Sequence, residues 1–145
     1  KIFGLRYFNV YGTGEEHKQD MASPVYKFLK QARQSGQIKI FEGSDGFLRD
    51  FVHVNDIVSM TMAATNLNTP GIYNAGTGIS RSFDEVASIV ASLTGASIRE
   101  VDFPPHLRGK YQTFTQSDNE KINLNGYLRP RLTLEEGIAE VLDGS

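Results

Sequence analysis

GLRYFNVYGTGEEHK, residues 4–18, passes from an apolar run into a polar loop that carries Asn9, His17 and Lys18. Ile2, Phe3, Leu5, Tyr7, Phe8 and Val10 have the spacing and the aromatic and β-branched content of a strand buried on both faces, and residues 12–16 read as loop. A strand of that kind belongs to a parallel α/β sheet, where ligands sit outside the carboxyl ends of the strands. Asn9 at such an end is either a ligand contact or a turn residue whose short amide caps backbone groups.

Outward from this strand the punctuation is local and regular. Ser23, Pro24 and Gly36 bracket a helix over 23–34 with Val25, Phe28, Leu29 and Ala32 on its inner face. Residues 38–41 and 50–54 read as short strands joined by a turn at 42–46, which suits a small antiparallel ribbon. Asn55 or Asp56 caps a helix to about residue 66, and Pro70-Gly71 leads into a strand over 72–75. That strand, helix, strand order predicts strands parallel to the first. Ser82 with Glu85 forms a capping box for a helix ended by Gly95, residues 98–103 form a strand, and Pro104-Pro105 breaks it. Ser117 and Thr133 cap two final helices, 117–124 and 133–142.

The 145 residues are 39% hydrophobic and 22% charged, enough for one domain with a core. A net charge of -2 with dispersed Lys and Arg leaves no basic face for a phosphate backbone, so nucleic acid is not an expected partner. There is no Cys, and three separated His make a metal site improbable. No apolar run nears the roughly 20 residues that span a bilayer, and no signal pattern is present, so a cytoplasmic protein off the membrane is expected. The chain begins inside a strand without a Met, which suggests the C-terminal portion of a longer protein.

Three later segments, FEGSDGFLRDFVHVNDI (41–57), GIYNAGTG (71–78) and LRGKYQTFTQSD (107–118), follow with the order and spacing found in nucleotide-sugar epimerases. The chain resembles that group of the extended short-chain dehydrogenase/reductase family over nearly its whole length. LRYFNVYG and RDFVHVNDI mark only the superfamily; the His17-Lys18 loop, FEGS and GKYQTFTQSD point to its heptose epimerases. The fold implied is α/β, the C-terminal portion of an extended Rossmann-type epimerase. Segments 1–12 and 51–76 would complete the sheet, and 13–50 and 77–145 would form a substrate-binding lobe.

A loop lysine is ordinarily a solvated charge. The resemblance implies that Lys18 faces the nicotinamide of NADP and transfers protons, a role that calls for a partly buried amine near positive charge. It further implies that Asn9 binds the substrate, ADP-heptose, and that the Val10 backbone approaches the cofactor. Asp20 stands where the family commonly has a small hydroxyl residue touching the sugar, and Lys27 where the heptose enzymes present a His. Phe41, Glu42, Gly43 and Ser44 would line the nucleotide, although a plain hairpin turn reads equally well from the residues alone. Arg49 and Tyr111 would hold the diphosphate, with an Arg49 salt bridge to Asp50 or Asp56 as the competing account. Residues 74–78 read as a strand-to-helix turn, His53 as a packed strand residue and His106 as a surface one.

The Gly-rich pyrophosphate motif and the Tyr-x-x-x-Lys pair of the superfamily do not occur in their family context. Tyr26 and Lys30 have the spacing but stand on a helix after the first strand. Both motifs are expected N-terminal to Lys1, in an intact homo-oligomer. Two alternatives stay open: another sugar-nucleotide epimerase or dehydratase, and an inactive sugar-nucleotide-binding fragment.

Overall fold

The computed structural model describes residues 1–107, 109, 111–123 and 130–144, an α/β arrangement in which the first apolar run does not form one strand. It divides into β1 (Phe3–Tyr7) and β2 (Asn9–Tyr11). The Val10 amide donates back to the Phe8 carbonyl (2.8 Å), a three-residue turn that redirects the chain between two pairings. β1 runs parallel to β5 (Gly71–Ala75), with Phe3 opposite Gly71 and Tyr7 opposite Ala75. β2 runs parallel to β4 (Leu48–His53), with Asn9 opposite Phe51 and Tyr11 opposite His53. The first strand is therefore parallel to residues 72–75 as expected, but it is not buried on both faces. Leu5 packs against Ile57 and Met60, but no residue of β1 is fully buried, Arg6 on the other face is exposed, and Tyr7 at the strand end remains 51% exposed.

The helices follow their caps. In α1 (Pro24–Ser35) the Ser23 hydroxyl accepts from the Tyr26 amide (3.1 Å), and Gly36 closes the helix in the left-handed conformation at φ 64°. α3 (Phe83–Thr94) and α5 (Leu134–Asp143) begin with reciprocal capping boxes, Ser82 with Glu85 and Thr133 with Glu136. α2 (Val54–Ala63) is capped by neither Asn55 nor Asp56: His53 Nδ1 accepts from the Asn55 amide (3.3 Å), and Asp56 turns inward to accept from the Arg131 and Leu132 amides. Its last expected turn is the 3₁₀ segment Ala64–Asn66. α4 (Glu120–Asn123) starts later than expected, because the Ser117 amide donates to Asp50 and its hydroxyl to Asn119, so Asp118 receives the Glu120 amide instead. Leu124, the expected end of that helix, lies outside the described residues, as do Arg108 and Lys110 of the 107–118 motif.

The expected antiparallel ribbon is absent. β3 (Gln37–Phe41) pairs in parallel with β7 (Ser97–Val101), Gln37 opposite Ser97 and Phe41 opposite Val101. β7 ends two residues before the expected boundary. β4 lies between β2 and antiparallel β6 (Ser80–Ser82). The burial of β4 explains its placement: five of its six residues are buried, so both of its faces need cover. Phe51 faces one core with Val25, Leu29, Ile38, Val86 and Ile138; Val52 faces another with Ile57, Met60 and Ala75. Each fully buried aliphatic side chain contributes about 1.5–3 kcal/mol relative to exposure. β4 is thus the wall between a helical lobe and the β1–β5 layer. Among the described residues no helix is long and apolar enough to cross a membrane, and no three His, Asp or Glu gather where they could hold a metal ion.

Candidate functional site

Strand alternation puts Arg49 on the Phe51 side of β4, inside the lobe, where it is 7% exposed. Its guanidinium donates to the carbonyls of Leu48 (2.9 Å) and Gln112, and lies 5.7 Å from the centre of the Phe83 ring and 5.5 Å from that of Tyr111. Burial pulls its pKa down, and among the described residues no carboxylate pairs with it. The salt-bridge account of Arg49 fails for a specific reason: Asp50 and Asp56 spend their oxygens on backbone amides elsewhere. Around the guanidinium Phe47 meets Tyr111 at 4.9 Å and Phe103 at 5.3 Å, and Phe41 meets Phe103 edge-on at 5.6 Å. Burial raises the Tyr111 phenol, which therefore stays a neutral donor. Phe41, Arg49 and Tyr111 are brought into one aromatic cluster.

Beside Phe41 the tetrapeptide is a structured turn. The Glu42 amide donates to the Val101 carbonyl (2.8 Å), Gly43 takes the left-handed conformation at φ 76°, and buried Ser44 opens the 3₁₀ turn Ser44–Gly46. A Cβ on Gly43 would meet nothing within 4 Å, so this corner is open. The Glu42 side chain is exposed.

On the opposite face of β4 stands Asp50, which sequence reasoning considered only as a salt-bridge partner. It is fully buried and accepts from the amides of Thr77 (2.8 Å), Gly78 (2.9 Å) and Ser117 (3.0 Å) and from the Thr77 hydroxyl. The Gly-rich 76–78 turn thus spends its amides on a carboxylate and is not free to cradle phosphate. Gly76 is required by close approach, since a Cβ there would lie 2.7 Å from Asp50 Oδ2. Residues 113–117 are stitched along β4: the Leu48 amide donates to Thr113, the Thr115 amide to Leu48, and the Thr115 hydroxyl reaches Asn9 Oδ1 at 3.4 Å. That stitching carries Tyr111 to Arg49 and gives half-buried Asn9 its one side-chain bond among those seen.

The loop after β2 contains a 3₁₀ segment, Glu16–Met21, that the sequence did not announce. His17 is exposed, and Lys18 is not the partly buried amine expected. Its side chain is 41% exposed, and its Nζ lies 3.4 Å from Oε2 of Glu15, a carboxylate rather than a neighbouring cation. Glu15 is only 3% exposed and was missed; the signal was a carboxylate three residues before Lys18 in GEEHK. Lys27 Nζ donates to the Asp20 carbonyl (2.6 Å), so these two positions meet through main chain while the Asp20 side chain faces solvent. Val10 is half-buried against the Val52 cluster. A cavity of about 990 Å³ bordered by Thr77, Ser117, Asn119 and Arg131, and one of about 270 Å³ between the 12–14 turn and Tyr26, Lys30 and Arg33, contain none of the expected site residues.

Residues 1–76, just over half of the chain, match the family model described as the NAD dependent epimerase/dehydratase family. The chain belongs to that family. This NAD dependent epimerase/dehydratase chain is 45% identical over its whole length to a Brachyspira hyodysenteriae protein named ADP-L-glycero-D-manno-heptose-6-epimerase, of which it covers 47%. It is 42% identical to a protein of the same name from Alkalilimnicola ehrlichii, covering 99% of this chain and 47% of the relative. The crystal structure of the Helicobacter pylori ADP-L-glycero-D-manno-heptose-6-epimerase superposes with a TM-score of 0.86 at 33% identity, over 98% of this chain and 43% of that one. The chain spans about half the length of the curated relatives it matches.

Proposed function

We propose that the intact protein interconverts the C6″ epimers of ADP-glycero-manno-heptose with NADP, and that this chain supplies mainly the substrate-binding part. The observation that carries the reading is the buried Arg49 cation, which has no carboxylate partner among the described residues and lies against the Phe83 and Tyr111 rings. A guanidinium left with free donors suits a diphosphate, which it binds as a fork, and Tyr111 adds a neutral donor. Phe41, Glu42, Gly43 and Ser44 form the adjoining corner for adenine and ribose. The names of the relatives favour a heptose over other sugars.

Of the nicotinamide this chain would hold one flank, by Lys18 and the main chain of Val10, and Lys18, exposed beside Glu15, would become the partly buried amine that role calls for once cofactor and substrate cover it. Reversible hydride transfer at C6″ is the chemistry NADP would supply when bound there. Lys18 would hold or release a proton at the C6″ oxygen, opposite a Tyr contributed from outside this chain. Asn9 would orient the sugar through its amide, while Asp20 and Lys27 would contact its far end. In this proposal segments 1–12 and 51–76 complete the cofactor sheet and 13–50 with 77–145 make the lobe.

The test is to incubate the intact protein separately with ADP-D-glycero-D-manno-heptose and UDP-glucose. Formation of the L-glycero epimer from the first, with the second unchanged, is the expected result. Turnover of UDP-glucose alone would hand the site to another sugar-nucleotide epimerase.

A further inference from the structure

Glu15 fills every lone-pair position of a buried carboxylate with a different donor. Oε1 accepts from the Gly12 amide (3.2 Å) and the Ser23 hydroxyl (2.8 Å); Oε2 accepts from the Ser23 amide (2.8 Å) and from Lys18 Nζ (3.4 Å). Two of these partners are themselves immobile. Gly12 packs so closely on Val54 that a Cβ there would overlap its side chain, and Ser23 is the N-cap of α1. Glu15 therefore ties the end of β2 to the start of α1, and the Lys18 ammonium is fastened to the knot. One residue further on, Gln19 has φ 47° and ψ -118°, a conformation costly for any residue with a Cβ. Backbone strain directly after Lys18 persists only where the surroundings over-determine the loop, and Glu15 is the group that does so.

We propose that Glu15 is a positioning residue for Lys18, aiming its ammonium from a fixed point on the β2–α1 connection. The inference rests on the reading of Lys18 as a proton-transfer group. Glu15 is buried, out of reach of a ligand, so the effect of its loss on turnover should pass through Lys18. An ordinary structural carboxylate would lower activity whether or not Lys18 is present.

The experiment compares Glu15→Gln, Lys18→Met and the double variant in the intact protein. It reads kcat and KM together with the rate at which trinitrobenzenesulfonate labels Lys18, followed by mass spectrometry. Glu15→Gln should lower kcat about tenfold with KM little changed, and should speed the labelling of Lys18. In the Lys18→Met background it should cost nothing further, because coupled residues are not additive. Equal losses in both backgrounds would reduce Glu15 to a structural group, and unchanged kcat in Glu15→Gln would also overturn the proposal. If that variant gives no folded protein, Ser23→Ala takes its place. It removes one donor to Glu15 and keeps the carboxylate, and the same dependence on Lys18 is required of it. Normal turnover by Lys18→Met would sink the reading of Lys18 and the positioning role together. Faster labelling in Glu15→Gln alongside that result would locate the failure in the chemistry assigned to Lys18, not in the tether.

Discussion

Arg49 combines a buried position with donors left over for a ligand. Arg49→Lys keeps the charge and loses the planar fork, so in the intact protein it should weaken ADP-sugar binding by about 1.5–3 kcal/mol, measured by calorimetric titration. A melting temperature that collapses in this variant would make Arg49 a packing residue instead. Lys18→Met removes the amine while keeping most of the side-chain length, and a proton-transfer role predicts a fall in turnover of about a hundred- to ten-thousandfold with substrate affinity little changed. Near-normal turnover would return Lys18 to the solvated surface. His53 makes a pH prediction. Its Nδ1 accepts from Asn55, so the proton of the neutral ring sits on buried Nε2, and burial lowers the pKa below the ordinary 6.5 despite the opposing pull of Glu140 and Asp56. The unfolded chain then binds more protons than the folded one, so the stability due to a neutral His53 is full above about pH 6.5 and drains away as the pH falls. His53→Asn retains a helix-capping side chain that does not titrate, and its melting temperature should drop less than the native one between pH 7 and pH 5.5.

The elements with local chemistry were the legible ones. Ser23 with Pro24 and Gly36, Ser82 with Glu85, and Thr133 with Glu136 each sit within a few residues of the backbone groups they satisfy, so spacing alone locates α1, α3 and α5. Strand partners were not legible, because β3 finds β7 across nearly sixty residues and nothing in residues 37–41 names that partner. Nor does the apolar run carry a Gly or Pro at Phe8 to announce the division between β1 and β2. The packing of α5 on β2 gives a test of its own. A Cβ at Gly137 would overlap the Tyr11 hydroxyl, so Gly137→Ala should destabilise by about 1–3 kcal/mol in denaturant unfolding. Removing that hydroxyl in a Tyr11→Phe, Gly137→Ala double variant should recover part of the loss. If the double variant is no better than the single one, the hydroxyl is not what excludes the methyl.

Across the whole molecule, the candidate site joins residues 41–51, Phe83, Phe103 and 111–117, which come together only in the folded lobe. Resemblance singled out Arg49, Tyr111 and Phe41, and the folded chain brings the three to one aromatic cluster. Glu15 and Asp50 were not legible in their roles, because a buried carboxylate is identified by its donors, and those of Asp50 come from turns 27 and 67 residues away. The chain contains neither a Gly-rich pyrophosphate motif nor a Tyr-x-x-x-Lys pair in family context, so the 145-residue chain alone should show no saturable NADP binding in a fluorescence titration and no heptose turnover. Saturable micromolar binding would mean that the cofactor leans on this half far more than proposed. The alternation along β4 has a consequence for how the chain finds its fold. Arg49 and Asp50 are neighbours on opposite faces, the one bound among aromatic rings and the other among three amides. If β4 docked one residue out of step, the cation would point at amide hydrogens and the carboxylate at ring faces, two desolvated charges each meeting the wrong pole. The native alignment of the strand is therefore written twice over, since a slip of one residue strands both charges at once.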